Sequence, residues 1–95
     1  MKDLSLALLL DVYGELLTER QQRIARDYFY LDLSLSEISE NENISRQCAH
    51  EIIKRCEQLL LFYEEKLNYS KTVYALKNAA SKNDTQTIYK IIEKL

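Results

Sequence analysis

The sequence contains no proline and only one glycine, the two residues that most often form tight turns and β-hairpins. An all-β fold is difficult to build from such a chain, so the composition predicts an all-α protein. Apolar residues make up 46% of the chain and charged residues 29%, a balance typical of a folded domain and not of a disordered one. With 95 residues, we expect one domain over residues 1–95.

Membrane and export signals are also scarce. No run reaches the ~18 consecutive apolar residues of a membrane span. The apolar stretch Leu4–Leu10 lies between Asp3 and Asp11 and is followed by no small-residue cleavage site, so it is a poor signal peptide. We therefore expect a cytoplasmic protein with no membrane span. Cys48 and Cys56 would lie about 12 Å apart along a helix, too far for a disulfide, which predicts free thiols.

Residues that carry chemistry are few. The chain has one histidine, no glycine-rich phosphate loop and no recognisable serine–histidine–carboxylate set. His50 follows Cys48 by two residues, a spacing that puts the two side chains on different faces of a helix and makes a poor metal site. The sequence predicts a non-enzymatic protein with no cofactor and no metal site.

The most informative stretch runs from Ser34 to Leu67. Ser34 and Glu37 have the spacing of a capping box, which starts a short helix, and Asn43 suits the left-handed conformation that ends it. Ser45 is an N-cap candidate for a long second helix. Apolar residues recur along that helix with a period of about 3.6 residues. A short capped helix, a turn and a long helix predict a helix-turn-helix over residues 34–67.

Helices are predicted on both sides of this motif. The first, Asp3–Leu17, has leucines on more than one face, and such surplus apolar surface on a small domain favours a homodimer. After the motif, helices are expected over residues 70–81 and 85–95. Ser70 is the cap candidate for the former, and Asp84 or Thr85 for the latter.

A second capping box begins the helix that precedes the motif. Thr18 and Gln21 have the required spacing, and the helix is expected to reach about residue 30. Arg23 lies four residues from both Glu19 and Asp27. We therefore expect local ion pairs along this helix.

The first turns of the predicted long helix carry the candidate binding residues. Recognition helices contact base edges through their N-terminal residues, where arginine suits guanine and glutamine suits adenine. The candidates for nucleic-acid binding are Ser45, Arg46, Gln47, His50, Glu51, Lys54 and Arg55. Against this prediction, residues 1–45 carry four basic and nine acidic residues, and residues 46–66 carry four of each. Because phosphate binding usually needs a basic surface, a protein-binding scaffold stays a second possibility.

Several short segments resemble the YlxM family of small bacterial proteins. They are residues 17–21 (LTERQ), 28–30 (YFY), 34–38 (SLSEI), 44–47 (ISRQ), 53–55 (IKR) and 63–67 (YEEKL). The resemblance covers roughly Leu9–Tyr69, and the family's helix-turn-helix is similar to the promoter-reading fourth region of sigma factors. The resemblance implies an all-helical cytoplasmic protein whose gene usually lies beside that of the signal recognition particle GTPase. From this gene order, the family is expected to act in the particle pathway or to regulate it.

The chain departs from the family pattern inside the motif. Asn43 replaces glycine, Ser39 replaces alanine, Cys48-Ala49-His50 replaces a more typical Ala-Val-Tyr, and Ile52 replaces a polar residue. These changes would alter the outward face of the long helix.

Three hypotheses follow. The first is a non-enzymatic regulator of the signal recognition particle pathway that binds the particle's GTPase, its RNA or both. The second is a sequence-specific DNA-binding regulator that uses the candidate residues above. The third is a dimeric protein-interaction adaptor in which the motif is only a scaffold.

Overall fold

The computed structural model describes the backbone of residues 4–95 and the side chains of residues 5–95. Over this range it contains six α-helices and no strand, which confirms the predicted all-α fold. The helices are α1 (Leu4–Tyr13), α2 (Glu19–Phe29), α3 (Leu35–Glu42), α4 (Arg46–Leu67), α5 (Tyr69–Ser81) and α6 (Thr85–Glu93). None of the described helices is long and apolar enough to cross a membrane.

The predicted helix-turn-helix is formed by α3, α4 and the turn between them. The Ser34 hydroxyl accepts from the Glu37 N–H, and the Glu37 carboxylate accepts from the Ser34 N–H, both at 3.1 Å. Asn43 ends α3 in the left-handed conformation, with φ 56° and ψ 48°. The Ser45 hydroxyl then accepts from the Cys48 N–H at 3.0 Å and starts α4. Local side-chain chemistry therefore sets both ends of the turn.

The first helix is shorter than predicted. It ends at Tyr13, and a 3₁₀ turn, Gly14–Leu16, leads to an extended Leu17. Glycine is a poor α-helix former, and a 3₁₀ turn is wound more tightly than an α-helix. The change in winding moves Leu16 off the buried face, and its side chain is 56% exposed. The predicted start at Asp3 lies outside the described residues.

Two apolar clusters form the core, and α4 takes part in both. One is formed by the buried side of α1 together with residues of α2 and α4, and contains Leu6, Leu9, Leu10, Tyr13, Leu17, Ala25, Cys56 and Leu60. The other lies within the motif and contains Ile24, Ile38, Ala49 and Ile53. The half-buried Phe29 and Ile52 pack against both clusters. Because one side of α4 is fixed by both clusters, its opposite side is held towards solvent.

The start of α5 is capped by a residue from α1. Asn68 adopts the left-handed conformation (φ 50°), and its side chain makes no capping hydrogen bond. The buried Tyr13 hydroxyl accepts from the N–H groups of Tyr69 (2.9 Å) and Ser70 (3.2 Å) and donates to Glu64 at 2.8 Å. Burial, together with the hydrogen bond to Glu64, raises the pKa of Tyr13. The helix therefore begins at Tyr69, and the prediction that Ser70 caps it is wrong.

The last two helices form a hairpin. Helix α5 packs against both α1 and α6. Asp84 caps α6 by accepting from the Thr87 N–H at 3.0 Å and the Thr87 hydroxyl at 2.6 Å, which decides between the two predicted caps. No residue of α6 is fully buried. The hairpin therefore keeps most of its surface in contact with solvent.

Arg23 forms a different ion pair from those predicted. Its guanidinium donates two hydrogen bonds of 2.7 Å to the Glu42 carboxylate of α3, instead of pairing with Glu19 or Asp27 on its own helix. The Glu42 side chain is 9% exposed, and a bidentate pair at such a site is stronger than flexible surface pairs. Hydrogen bonding to Arg23 lowers the pKa of Glu42. The pair joins α2 to α3.

Candidate nucleic-acid interface

The predicted binding residues occupy the outer side of the first turns of α4. Ser45 stands at its cap, and six others form two lines with a spacing of four residues: Arg46, His50 and Lys54 in the first, and Gln47, Glu51 and Arg55 in the second. All seven are exposed. Because four residues make about one helical turn, each line runs along one face. The fold thus brings the seven residues to one surface.

The first line carries basic side chains that the fold does not use. Within residues 5–95, Arg46, His50 and Lys54 have no hydrogen-bond or ion-pair partner. His50 and Lys54 flank a shallow pocket of about 160 Å³ that also contacts Tyr28 and Glu57. An exposed guanidinium and ammonium without protein partners are suited to phosphate or to the acceptors of a guanine edge.

The second line contains one internal hydrogen bond. The Gln47 amide donates to the Glu51 carboxylate at 3.2 Å, which holds the amide while leaving its oxygen and second N–H available. One turn further on, Arg55 lines a groove of about 340 Å³ together with Arg20 of α2. The negative charge of Glu51 disfavours a phosphate beside Gln47. This line is therefore better suited to base edges than to the backbone.

Two of the seven residues have roles within the protein. The Ser45 hydroxyl is used by its cap bond to Cys48, so its contribution to binding would be positional. Glu51 restrains Gln47.

Arg20 was not among the candidates, because its place beside Arg55 depends on how α2 packs on α4, which local sequence does not reveal.

Helix α3 contributes no positive charge to this surface. In DNA-bound helix-turn-helix proteins the first helix crosses the phosphate backbone. Here α3 contains Glu37, Glu40 and Glu42 and no basic residue. Arg23 is held by Glu42, and the Arg20 guanidinium lies 3.9 Å from the same carboxylate. The basic part of the motif is therefore confined to α4.

The departures from the family pattern affect the outer face less than predicted. Ala49 is fully buried, Ile52 packs against both core clusters and Cys48 is half-buried. Of Cys48, Ala49, His50 and Ile52, only His50 is exposed, so the predicted change to the outward face is confined to His50. Buried Ser39 is accommodated because its hydroxyl donates to the Ser36 carbonyl at 2.8 Å.

Among the residues that the structure describes, the two cysteines, His50 and the acidic side chains form no group of three or more that could hold a metal ion. Cys48 and Cys56 are both free, as predicted, and burial raises the pKa of the Cys56 thiol to about 11. What the surface of α4 offers is hydrogen bonding and positive charge.

Comparison with known proteins agrees with this architecture. The family UPF0122, described as "Putative helix-turn-helix protein, YlxM / p13 like", matches residues 1–95. A UPF0122 protein of Clostridium kluyveri is 56% identical over 63 residues, which are 66% of this chain and 57% of the relative. One from Symbiobacterium thermophilum is 50% identical over 70 residues, or 73% of this chain and 65% of the relative. The chain thus covers less than two thirds of the length of these relatives. It belongs to the YlxM/p13-like helix-turn-helix family.

Proposed function

We propose that this protein is a non-enzymatic regulator of the signal recognition particle pathway and that it binds the particle's RNA through the outer side of α4. The observation that carries the proposal is the line Arg46–His50–Lys54, which is exposed and has no partner among the described residues. Membership of a helix-turn-helix family supports a nucleic-acid-binding regulatory role. The resemblance to YlxM proteins supplies the pathway.

The shape of α4 restricts where it would contact an RNA. The major groove of an A-form duplex is too deep and narrow for side chains to read, whereas loops and bulges expose base edges. We therefore infer that α4 contacts a loop or bulge of the particle RNA. The GTPase of the particle is a further partner in the same proposal, because the acidic α3 surface suits contact with basic side chains of a protein better than contact with phosphate.

A titration with separate partners tests this proposal. Fluorescently labelled particle RNA, a promoter-length DNA duplex and the purified GTPase would each be titrated with the protein at moderate salt. The proposal requires binding to the RNA, or to the GTPase–RNA complex, that is tighter than binding to the DNA. Lack of binding to the RNA, the GTPase and their complex would refute it.

A sequence-specific DNA-binding regulator is the second candidate. It is favoured by the Gln47 amide, which Glu51 holds on the exposed face with a donor and an acceptor available for adenine. An α-helix also fits the major groove of B-form DNA. On this hypothesis Arg46→Ala relaxes specificity at one base pair and costs ~1–3 kcal/mol of binding free energy. Absence of salt-dependent DNA retention by the unmodified protein would exclude it.

A dimeric interaction adaptor is the third candidate. It is favoured by apolar surface that the fold leaves uncovered on and near α1: Leu8 is 59% exposed, Leu16 56% and Leu67 59%. Leu16 and Leu67 line one shallow pocket of about 340 Å³ with Tyr69. Light scattering at micromolar concentration tests this candidate, because a monomer would remove its support.

A further inference from the structure

The hairpin of α5 and α6 contains a basic groove that the proposed use of α4 leaves without a role. The groove has a volume of about 300 Å³ and is lined by Asn68, Lys71, Thr72, Ala75, Ile91, Lys94 and Leu95. Lys71 and Lys94 are far apart in sequence, but the hairpin places them on one groove. No acidic side chain is among its lining residues.

An aromatic side chain and a third lysine extend this surface. Tyr74 lies three residues after Lys71, and Lys90 lies four residues before Lys94, so each shares a helix face with a lysine of the groove. The Tyr74 side chain is 71% exposed. None of these four side chains has a hydrogen-bond or ion-pair partner within residues 5–95. We call Lys71, Tyr74, Lys90 and Lys94 the hairpin surface.

The charge of the hairpin differs from that of the rest of the chain. Residues 67–95 contain five basic and two acidic residues, although the whole protein has a net charge of −2. One of the two acids, Asp84, caps α6 at the hairpin tip. The other, Glu93, lies four residues after Tyr89 and three residues after Lys90, so its side chain neighbours Lys90 on α6. Asp84 also interacts electrostatically with Lys90. The hairpin's acids therefore offset part of the charge of Lys90, whereas neither of them is among the residues that line the groove with Lys71 and Lys94.

We propose that the hairpin surface binds a single-stranded segment of RNA. The three lysines would contact phosphates, and the exposed Tyr74 ring would stack on an unpaired base. Proteins that bind single strands combine a positively charged groove with such a stacking platform. The choice of RNA over DNA rests on the proposed function, whereas the surface itself is independent of α4.

Other occupants fit this surface less well. Lysine is depleted at protein–protein interfaces, so a second copy of the chain is disfavoured. A membrane surface would need the whole apolar side of the hairpin's end; Ile92 and Leu95 are exposed there, but Ile88 and Ile91 are half-buried and α6 packs on α5. In a duplex, the stacked bases are not available to Tyr74. An unpaired strand uses both the charge and the ring.

The experiment measures binding of the full chain to a labelled, unstructured oligouridine of about a dozen nucleotides, which spans a typical single-strand site. Variants Lys71→Gln/Lys94→Gln and Tyr74→Ala are compared with Tyr89→Ala, which removes a similarly exposed tyrosine (66%) from another face of the hairpin. Tyr74→Ala should weaken binding about fivefold or more. The lysine double variant should reduce the magnitude of the salt slope, d log K/d log[salt], by about 1.4, or 0.7 for each lost phosphate contact. Tyr89→Ala should bind like the unmodified protein.

Three results would overturn the assignment. The first is no binding of oligouridine, and the second is an equal loss of RNA affinity in Tyr74→Ala and Tyr89→Ala. The third is binding of an oligodeoxyribonucleotide of the same length without binding of oligouridine. A change from dimer to monomer in the hairpin variants, with unchanged RNA affinity, would assign the surface to a second copy and also contradict the proposal. Arg46→Ala/Lys54→Ala, tested in parallel on particle RNA, reports on α4 separately. The two proposals can therefore fail independently.

Discussion

Tyr13 brings one hydroxyl group to the junction of α1, α4 and α5. Its oxygen accepts from two backbone N–H groups at the start of α5, and its proton is donated to Glu64. The Glu64 carboxylate also accepts from the Lys71 N–H at 3.4 Å. A phenol from a distant helix thus takes the role that an N-cap side chain normally has. The position of the hairpin depends on this residue.

The substitution Tyr13→Phe should lower the free energy of unfolding by about 1–3 kcal/mol, because it leaves partly buried polar groups without a partner. Urea denaturation measures the change. Tyr63→Phe is the matched control: Tyr63 packs beside Tyr13 with ring centroids 6.1 Å apart, but its hydroxyl makes no hydrogen bond to the described residues. Equal losses in the two variants would show that the Tyr13 hydroxyl does not stabilise the fold.

Glu42 should make stability depend on pH in the acid range. Its pKa is lowered from an ordinary value of 4.5, chiefly by the hydrogen bonds from Arg23. Its stabilising contribution is therefore complete above pH 4.5 and is lost as the pH falls through the lower folded-state value. Glu42→Gln should reduce the melting temperature at neutral pH, and the difference from the unmodified protein should narrow on acidification. Glu40→Gln removes the same charge from an exposed site of α3 and should show no such pattern.

At the scale of helices, the sequence predicted those helix starts that depend on residues close together along the chain. The capping boxes at Thr18 and Ser34 depend on residues three positions apart, and both are present as predicted. The start of α5 and the partner of Arg23 could not be predicted in this way. They depend on Tyr13 and Glu42, which only tertiary packing brings into contact.

The turn between α3 and α4 should tolerate glycine better than alanine. Asn43 has a positive φ of 56°, a conformation that costs about 1–2 kcal/mol for a residue with an ordinary Cβ. Asn43→Gly should therefore retain stability, whereas Asn43→Ala should lower the free energy of unfolding by about 1 kcal/mol. Asn41, which lies within α3, is the control, since there glycine should be worse than alanine by about 1 kcal/mol. Chemical denaturation of the four variants measures these differences. The same order of stability for the alanine and glycine variants at both sites would contradict the account.

The whole molecule separates its charges along the chain. Residues 1–45 carry a net charge of −5, and residues 67–95 carry +3. The candidate residues on α4 could be predicted because a capped helix with a known period fixes which side chains face outward. The groove between α5 and α6 could not, since Lys71 and Lys94 are joined only by the hairpin. No local pattern names the partner, because an exposed basic line suits several polyanions equally.

The central claim is that the outer side of α4 binds the RNA of the signal recognition particle. It is tested most directly by titrating that RNA, over a range of salt concentrations, with the unmodified protein and with Arg46→Ala/Lys54→Ala. The control is Lys66→Ala/Lys82→Ala, which removes two positive charges at sites outside the first turns of α4. The account predicts that the α4 variant binds about tenfold more weakly or worse, with a salt slope reduced in magnitude by about 1 per lost phosphate contact, while the control is unchanged. Equal affinities and salt slopes for the two double variants would contradict it.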